Sequence, residues 1–405
     1  MRNDRKLRAL ADRMASLKPS PTLSLNALAQ SMQKQGIDVI NLTAGETDFP
    51  TPSVISEAAI TALRAGKTRY TPAHGVPALR KKVTEWFSGH WGLKYSEKQV
   101  TVTAGVKQGI FNLALASLNP GDEVLIPAPY WVSYPAIIEV MGAKSIILPT
   151  SPDDGFRLDP ELVRKAIGPK TRWLILNFPN NPTGAIASRE DLQKIAKILE
   201  GTEILVISDE IYADLSYSKD QYCPFASISE DAFRRTITMN GLSKSHAMTG
   251  WRVGFIAGDE ALIEAMGTIQ GQSLSNLTTF VQDAAIEALG YPLKEIHKMR
   301  DSLGERRDFA LSLFAREKRI KLAPPPGAFY LFPDFSAWYG KRTPSGMAIS
   351  DSISLSDYLL REALVAVVPG SAFGEDRCLR LSFATDKKSI EKGIARILEA
   401  LEKLT

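Results

Sequence analysis

The chain has 405 residues, 44% hydrophobic and 23% charged, ordinary proportions for a globular protein with one large domain or two unequal ones. A formal net charge of +4 is too thin a surplus over this length to argue for nucleic acid, and it suits a small anionic ligand at least as well. Cys223 and Cys378 are too far apart for a metal-ligand spacing or a disulfide framework, and no apolar run reaches the ~18 residues of a membrane span; the expectation is a cytoplasmic protein with two free thiols and no metal.

The opening Met1-Arg-Asn-Asp-Arg-Lys-Leu-Arg is basic enough for a transit peptide, but Asp4 and Asp12 interrupt it and no apolar core follows. It reads as a surface helix, and residues 1–40 as helical and polar, ending near Gly36. Val39-Ile-Asn-Leu-Thr starts an extended segment, broken at the turn-rich Ala44-Gly-Glu-Thr-Asp-Phe-Pro-Thr-Pro. Two amphipathic helices follow between about 53 and 92, around the loop Tyr70-Thr-Pro-Ala-His-Gly. From 99 onwards short apolar, β-branched runs alternate with helical stretches. The runs are Gln99-Val-Thr-Val-Thr, Glu123-Val-Leu-Ile-Pro, Ser145-Ile-Ile-Leu-Pro, Trp173-Leu-Ile-Leu-Asn, Ile204-Leu-Val-Ile-Ser, Thr236-Ile-Thr-Met-Asn and Val253-Gly-Phe-Ile-Ala. Runs without polar alternation belong to strands covered on both faces, so the sheet is expected to be mostly parallel, with helices on both sides over residues 99–260.

After about 290 the spacing loosens. Long charged helices flank Ala328-Phe-Tyr-Leu-Phe, Val365-Ala-Val-Val and Leu379-Arg-Leu-Ser-Phe, which predicts a smaller α+β domain with a surface loop at Gly340-Lys-Arg-Thr-Pro-Ser-Gly. Charge runs such as Glu305-Arg306-Arg307-Asp308 read as solvated helix faces. The expected division is an N-terminal segment, 1–45, belonging to the small domain, a large α/β domain, 46–290, and the small C-terminal domain, 291–405.

Open parallel sheets bind ligands at the carboxyl ends of their strands. Strand 99–103 ends in Ala104-Gly-Val-Lys-Gln-Gly, a glycine turn into a helix whose free N–H groups suit a phosphate, although many such turns are only tight loops. Strand 173–177 ends in Asn177-Phe-Pro-Asn-Asn-Pro-Thr-Gly, a rigid turn that presents Asn181 or merely connects two elements. Strand 204–208 ends at Asp209-Glu-Ile-Tyr, leaving an acid at the strand's mouth in want of a cation, with Tyr212 in reach if a helical turn follows. Strand 236–240 leads to Gly241-Leu-Ser-Lys-Ser-His-Ala-Met-Thr-Gly-Trp-Arg-Val-Gly. There Lys244 can form a Schiff base and Arg252 can clamp a phosphate. Each of these alone is as consistent with a solvated loop. Together they gather a phosphate cradle, an acid, a tyrosine, a lysine and an arginine at the ends of several strands.

At this point the chain resembles the class I aminotransferases, the aspartate-aminotransferase-like group of fold-type I pyridoxal-phosphate enzymes, and within them the bacterial I-beta aspartate aminotransferases. The resemblance runs from Leu17-Lys-Pro-Ser to the C-terminus. It is carried by Leu42-Thr-Ala-Gly-Glu, Pro129-Tyr-Trp-Val-Ser-Tyr-Pro, Asn181-Pro-Thr-Gly, Ser208-Asp-Glu-Ile-Tyr, Ser243-Lys, Ala247-Met-Thr-Gly-Trp-Arg-Val-Gly and Gly327-Ala-Phe-Tyr.

The resemblance implies a role for each residue. Lys244 matches the lysine that binds pyridoxal 5'-phosphate covalently and later shuttles a proton. Asp209 matches the acid paired with the pyridinium nitrogen. Tyr212 and Asn181 match the groups bonded to the ring's phenolic oxygen, with Asn181 also touching the substrate carboxylate. Trp131 matches the aromatic stacked on the ring. Arg252 and the N–H groups of Gly105, Val106 and Lys107 match the phosphate cradle. Arg380 matches the arginine that grips the α-carboxylate, although a strand residue facing solvent is the other reading. Gly45 matches the backbone that closes on the substrate, and Tyr70 the tyrosine that reaches a neighbouring subunit's phosphate, which implies a homodimer with shared sites. Lys107 and Thr22 match residues near the substrate's distal end. The chain departs from the pattern at Glu46-Thr47-Asp48, where Glu-Pro-Asp is usual, and at Val106, where glycine is common; both are positions that use backbone.

The implied activity is transfer of an amino group between an L-amino acid, aspartate or glutamate first, and 2-oxoglutarate or oxaloacetate. The alternatives are an aromatic, alanine or prephenate transaminase, or a β-lyase or synthase on the same fold. The aminotransferase-like effector domains of some transcription regulators follow a DNA-binding domain. The residues ahead of Leu17 are too few for one, so no nucleic-acid partner is expected, and no membrane partner either.

Overall fold

The computed structural model describes residues 10–14, 17, 19, 21–217 and 222–405. Its strands are β1 (Ile40–Asn41), β2 (Val100–Thr103), β3 (Glu123–Ala128), β4 (Lys144–Pro149), β5 (Thr171–Asn177), β6 (Leu205–Asp209), β7 (Thr236–Gly241), β8 (Gly254–Ala257), β9 (Tyr330–Leu331), β10 (Val365–Ala366), β11 (Val368–Pro369) and β12 (Leu379–Ser382). The helices are α1 (Pro21–Lys34), α2 (Ser53–Arg64), α3 (Pro77–Trp91), α4 (Val106–Ser117), α5 (Ser133–Val140), α6 (Pro160–Ala166), α7 (Arg189–Leu199), α8 (Glu230–Arg235), α9 (Glu260–Ser273), α10 (Thr279–Leu289), α11 (Leu293–Phe314), α12 (Ser352–Glu362) and α13 (Lys387–Glu402).

Seven strands form the central sheet in the order β2-β8-β7-β6-β5-β3-β4. All neighbours pair in parallel except β8, which runs antiparallel to both β2 and β7. The mostly parallel sheet expected from the apolar runs is therefore present, with one reversed strand. The reason for the unbroken runs is visible in β5. Trp173 and Ile175 enter one core with Ile110, Ile207 and Ile256, while Leu174 and Leu176 enter another with Leu192, Ile195 and Val206. Alternate side chains meet different helices, so neither face can be polar; each fully buried Leu or Ile contributes roughly 1.5–3 kcal/mol over its exposed state. On one face α7 shows how the cover forms. Ser188 Oγ accepts the Asp191 N–H at 3.0 Å, Glu190 and Asp191 fill the first turn, and Leu192, Ile195, Ala196 and Leu199 share the buried face.

The largest buried cluster lies outside this sheet. It gathers residues from Leu303 to Leu404, together with Leu42, Tyr212 and Leu215. Here β1 pairs in parallel with β10, and β12 runs antiparallel between β11 and β9. The Leu42 carbonyl accepts the Ser382 N–H at 2.8 Å, so the N-terminal extended segment is stitched to the C-terminal strands. The run at 365–368 breaks at Val367 because β10 and β11 serve different partners.

Some expectations need correction. Within 1–40 the described helical structure is α1 and a single turn at Asp12–Met14; Pro21 supplies the preset φ of a first helical position, and Gly36 at φ +81° ends the stretch. The surface helix expected at Met1–Arg8 lies outside the described residues. The run at 305–308 is solvated only at Glu305 and Asp308. Arg306 folds onto Phe49 and pairs with Asp48 at 2.7 Å, and Arg307 covers Tyr217. Cys223 and Cys378 are both free thiols. Among the described residues no helix is long and apolar enough to cross a membrane.

Candidate active site

β5 and β6 end side by side, with Asn177 paired to Asp209. The Asn177 amide donates to the Asp209 backbone carbonyl at 3.0 Å, and its Oδ1 accepts the Asn181 N–H at 3.0 Å, which pins the following turn. The Asp209 side chain is buried. Loss of water pushes its carboxyl up to about 6, against hydrogen bonds from Tyr134 (2.6 Å) and the Ile211 N–H (3.3 Å) and the pull of Lys244. A short turn, Ala213–Leu215, follows directly and brings the Tyr212 hydroxyl to 2.9 Å from that of Tyr330. Burial raises the Tyr212 phenol well above its ordinary range.

Lys244 sits just beyond β7, half-buried, with Nζ donating to the Gly45 carbonyl. Its ammonium is lowered to about 8, chiefly by loss of water; Glu46 opposes this, and Arg380 and Arg252 add to it. Arg252 reaches the same edge because β8 is reversed: the residue before an antiparallel strand lies where its parallel neighbours end. It takes the left-handed φ of +58° and donates to the Thr249 carbonyl at 2.9 Å. Gly105, at φ +83°, caps α4 against it, and a Cβ there would stand 2.4 Å from Arg252 Nη2. The Val106 side chain turns into the core. The N–H groups of Val106 and Lys107 have no hydrogen-bond partner among the described residues. A helix start with free donors beside a guanidinium is a site for a phosphate.

Arg380, on β12, is buried, which removes the solvent-facing reading. Nη1 donates to Asn181 Oδ1 at 2.9 Å and Nη2 to the Thr43 carbonyl at 2.7 Å; the guanidinium lies 4.4 Å from the Tyr330 ring centre, and its Nε is without a partner. Lys107 stands at the rim, with Nζ 4.8 Å from the Trp131 ring centre.

A cavity of about 350 Å³ brings together Thr22, Gly45, Val106, Lys107, Trp131, Asn181, Asp209, Tyr212, Lys244, Arg252 and Arg380, with Gly105 directly behind Arg252. Tyr70 is the exception: it does not line the cavity and is 88% exposed. The sequence reading gave no role to Tyr134, Tyr330, Asn26, Thr43 and Glu46, all of which line the cavity. Of these, Tyr134, Tyr330, Thr43 and Glu46 lie inside the motifs that carry the resemblance, and only Asn26 has no such signal. Glu46 accepts the Thr249 hydroxyl at 2.6 Å, joining the loop that closes over Lys244 to the turn that holds Arg252.

The family model described as aminotransferase class I and II matches residues 37–397. The chain belongs to the class I and II aminotransferases. It is 41% identical over 399 residues to a probable aspartate/prephenate aminotransferase of Aquifex aeolicus, covering 98% of this chain and 100% of that one. Its structure resembles the aspartate aminotransferase of Rhizobium meliloti, with a TM-score of 0.94, 38% identity and 98% and 99% of the two chains covered. It also resembles the aspartate aminotransferase of Thermus thermophilus with maleate, with a TM-score of 0.90, 38% identity and coverage of 97% and 100%. The fold is fold type I and the cofactor is pyridoxal 5'-phosphate. The residues fit that group. Lys107, Lys244, Arg252 and Arg380 line one cavity, and among the described residues none forms an ion pair; their contacts are carbonyls, an amide oxygen and ring faces.

Proposed function

We propose that this aminotransferase takes L-aspartate or L-glutamate as amino donor and 2-oxoglutarate or oxaloacetate as acceptor, with pyridoxal phosphate held by Lys244. The observation that carries the reading is that Lys107, Lys244, Arg252 and Arg380 line one cavity and, among the described residues, none is in an ion pair. Arg252 and the start of α4 suit the cofactor phosphate. Arg380, fixed by Asn181 and Thr43, offers its fork to the α-carboxylate, the one anion that every amino acid has. Lys107 is left for a second, distal carboxylate. That the Thermus relative was solved with maleate, a four-carbon dicarboxylate, supports this assignment.

When bound, the cofactor supplies a sink for the electron pair left at the substrate's Cα. The protein supplies the rest. Asp209, favoured as a carboxylate by Tyr134, the Ile211 N–H and a cationic neighbour, would hold a proton on the ring nitrogen. Tyr212 and Asn181 would hold the phenolic oxygen, and Trp131 would cover the ring. Lys244, with an ammonium lowered to about 8, exchanges its proton near neutral pH and moves it at Cα. Desolvation thus tunes an acid up and an amine down in one cavity.

The working unit is a homodimer with shared sites. A tyrosine that is 88% exposed, Tyr70, beside α2 with Val54, Ile60 and Leu63 also exposed, supports a covering partner. A fully active monomer on sizing would end that reading. A cytoplasmic location is the matching expectation for free Cys223 and Cys378. Prephenate is a second acceptor to consider because the Aquifex relative's name includes it. One screen tests the substrate reading: purified protein with added cofactor, the donors aspartate, glutamate, phenylalanine and alanine, and the acceptors 2-oxoglutarate, oxaloacetate and prephenate. The dicarboxylate pairs are expected to give the highest kcat/KM; equal rates for phenylalanine and aspartate would refute the preference.

A further inference from the structure

Arg380 is held from two sides, and one of them leads to α1. Its Nη2 donates to the Thr43 carbonyl at 2.7 Å. Thr43 is itself fixed: its N–H and its hydroxyl both donate to Asn41 Oδ1, at 3.0 and 2.7 Å, and the hydroxyl also lies 3.4 Å from Asn26 Oδ1. Asn41 Nδ2 then donates to Asn26 Oδ1 at 2.7 Å, on α1. The same helix puts Thr22 and Leu23 into the cavity wall. An unbroken chain of hydrogen bonds thus runs from the arginine to the helix, and its route of shorter bonds passes through Asn41. Asn41 Oδ1 accepts twice, which turns its Nδ2 to Asn26 and makes Asn26 Oδ1 the acceptor.

The sheet does not need these side chains. The backbone of Ile40 and Leu42 makes the local ladder, with Ile40 N–H to the Leu364 carbonyl, Leu42 N–H to the Ala366 carbonyl, and the Leu42 carbonyl to the Ser382 N–H. The asparagine amides add a connection that strand pairing leaves unmade.

We propose that Asn41 and Asn26 are positioning residues that tie α1 to Arg380, so that the grip on the α-carboxylate and the fit of the substrate's distal group are set together. The proposal rests on the reading of this cavity as a dicarboxylate aminotransferase site. A donor long enough to meet α1 loads both ends of a short polar network, whereas alanine, which has no distal group, loads only Arg380.

The test compares aspartate and alanine in the half-reaction for the wild-type holoenzyme, Asn41→Asp, Asn26→Ala and the double variant, with melting temperature and cofactor absorbance alongside. Asn41→Asp keeps an oxygen for the Thr43 N–H and hydroxyl but turns an oxygen, not a donor, towards Asn26. Each single variant is expected to raise KM for aspartate roughly 2- to 10-fold, the range of one lost hydrogen bond, with kcat within about twofold and the alanine kcat/KM unchanged within about twofold. The double variant is expected to be no worse than either single, because the link is already cut. An equal loss for both donors would overturn the proposal and leave the network a purely structural one, as would additive losses in the double variant. A loss in Asn26→Ala alone would show Asn26 acting on substrate directly and would overturn the link. A wild-type enzyme that does not use aspartate would instead refute the substrate reading, whatever the variants do.

Discussion

The two sides of the cavity are built by different rules. On the side proposed for the cofactor each residue sits at one end of the central sheet's strands: Asp209 ends β6, Lys244 follows β7, Arg252 precedes the reversed β8 and Gly105 joins β2 to α4. One local rule, that buried apolar strands end at the chemistry, yields Asp209, Lys244 and Gly105; Arg252 joins them because β8 is reversed. On the side proposed for the substrate Arg380 is gripped by Asn181 and Thr43, so that three segments remote in sequence meet there. No local rule yields that contact. The cofactor half is a property of the sheet, and the substrate half is a property of how the N- and C-terminal segments close over it.

The largest effect is expected on the cofactor side. Lys244→Ala should lower kcat by about 10,000-fold or more, since the proposal gives both the covalent hold and the proton transfer to this one amine; turnover with saturating cofactor checks this, and a near-normal rate would break the assignment. Arg380→Lys comes next. A lysine cannot reproduce the fork, so kcat/KM should fall roughly 10- to 100-fold for every donor alike. A loss confined to aspartate would put the α-carboxylate elsewhere. Lys107→Ala should show the opposite pattern, a roughly 10- to 100-fold loss for aspartate with phenylalanine spared. Equal losses would assign Lys107 to the cofactor or the fold.

The smallest effect concerns tuning. In the apoprotein Asp209 must be ionised and Lys244 neutral to take up the cofactor. Capture is therefore expected to rise as pH increases through about 6, where Asp209 loses its proton, and again towards about 8, where Lys244 does. Tyr134→Phe removes a bond that favours the Asp209 carboxylate. Its pKa should rise further, moving the lower limb to higher pH and leaving the upper limb in place. Stopped-flow absorbance of cofactor capture across pH reads both limbs; a variant whose lower limb does not move would show that Tyr134 only packs.

The same contrast explains what was legible in the sequence. The strands, their burial on both faces and the acid, lysine and arginine at their ends follow from periodicity and position, because those residues obey the backbone they sit on. The direction of β8 did not, since a four-residue apolar run looks the same from either end; that reversal is what brings Arg252 to the site. The role of Tyr134 is not legible either, because its bond to Asp209 crosses from α5 to β6 and leaves no mark on either local pattern. Arg380 was legible only by resemblance: its apolar neighbours, Leu379 and Leu381, fit a buried or a half-exposed strand equally well. The Asn26–Asn41 link needed the packing of α1 on β1, which composition does not encode.

The most direct test of the account is a mass balance with the purified holoenzyme, aspartate and 2-oxoglutarate. The account predicts one oxaloacetate for each glutamate formed, with turnover lost in Lys244→Ala. No turnover, or a keto acid released without glutamate, would contradict amino transfer between dicarboxylates.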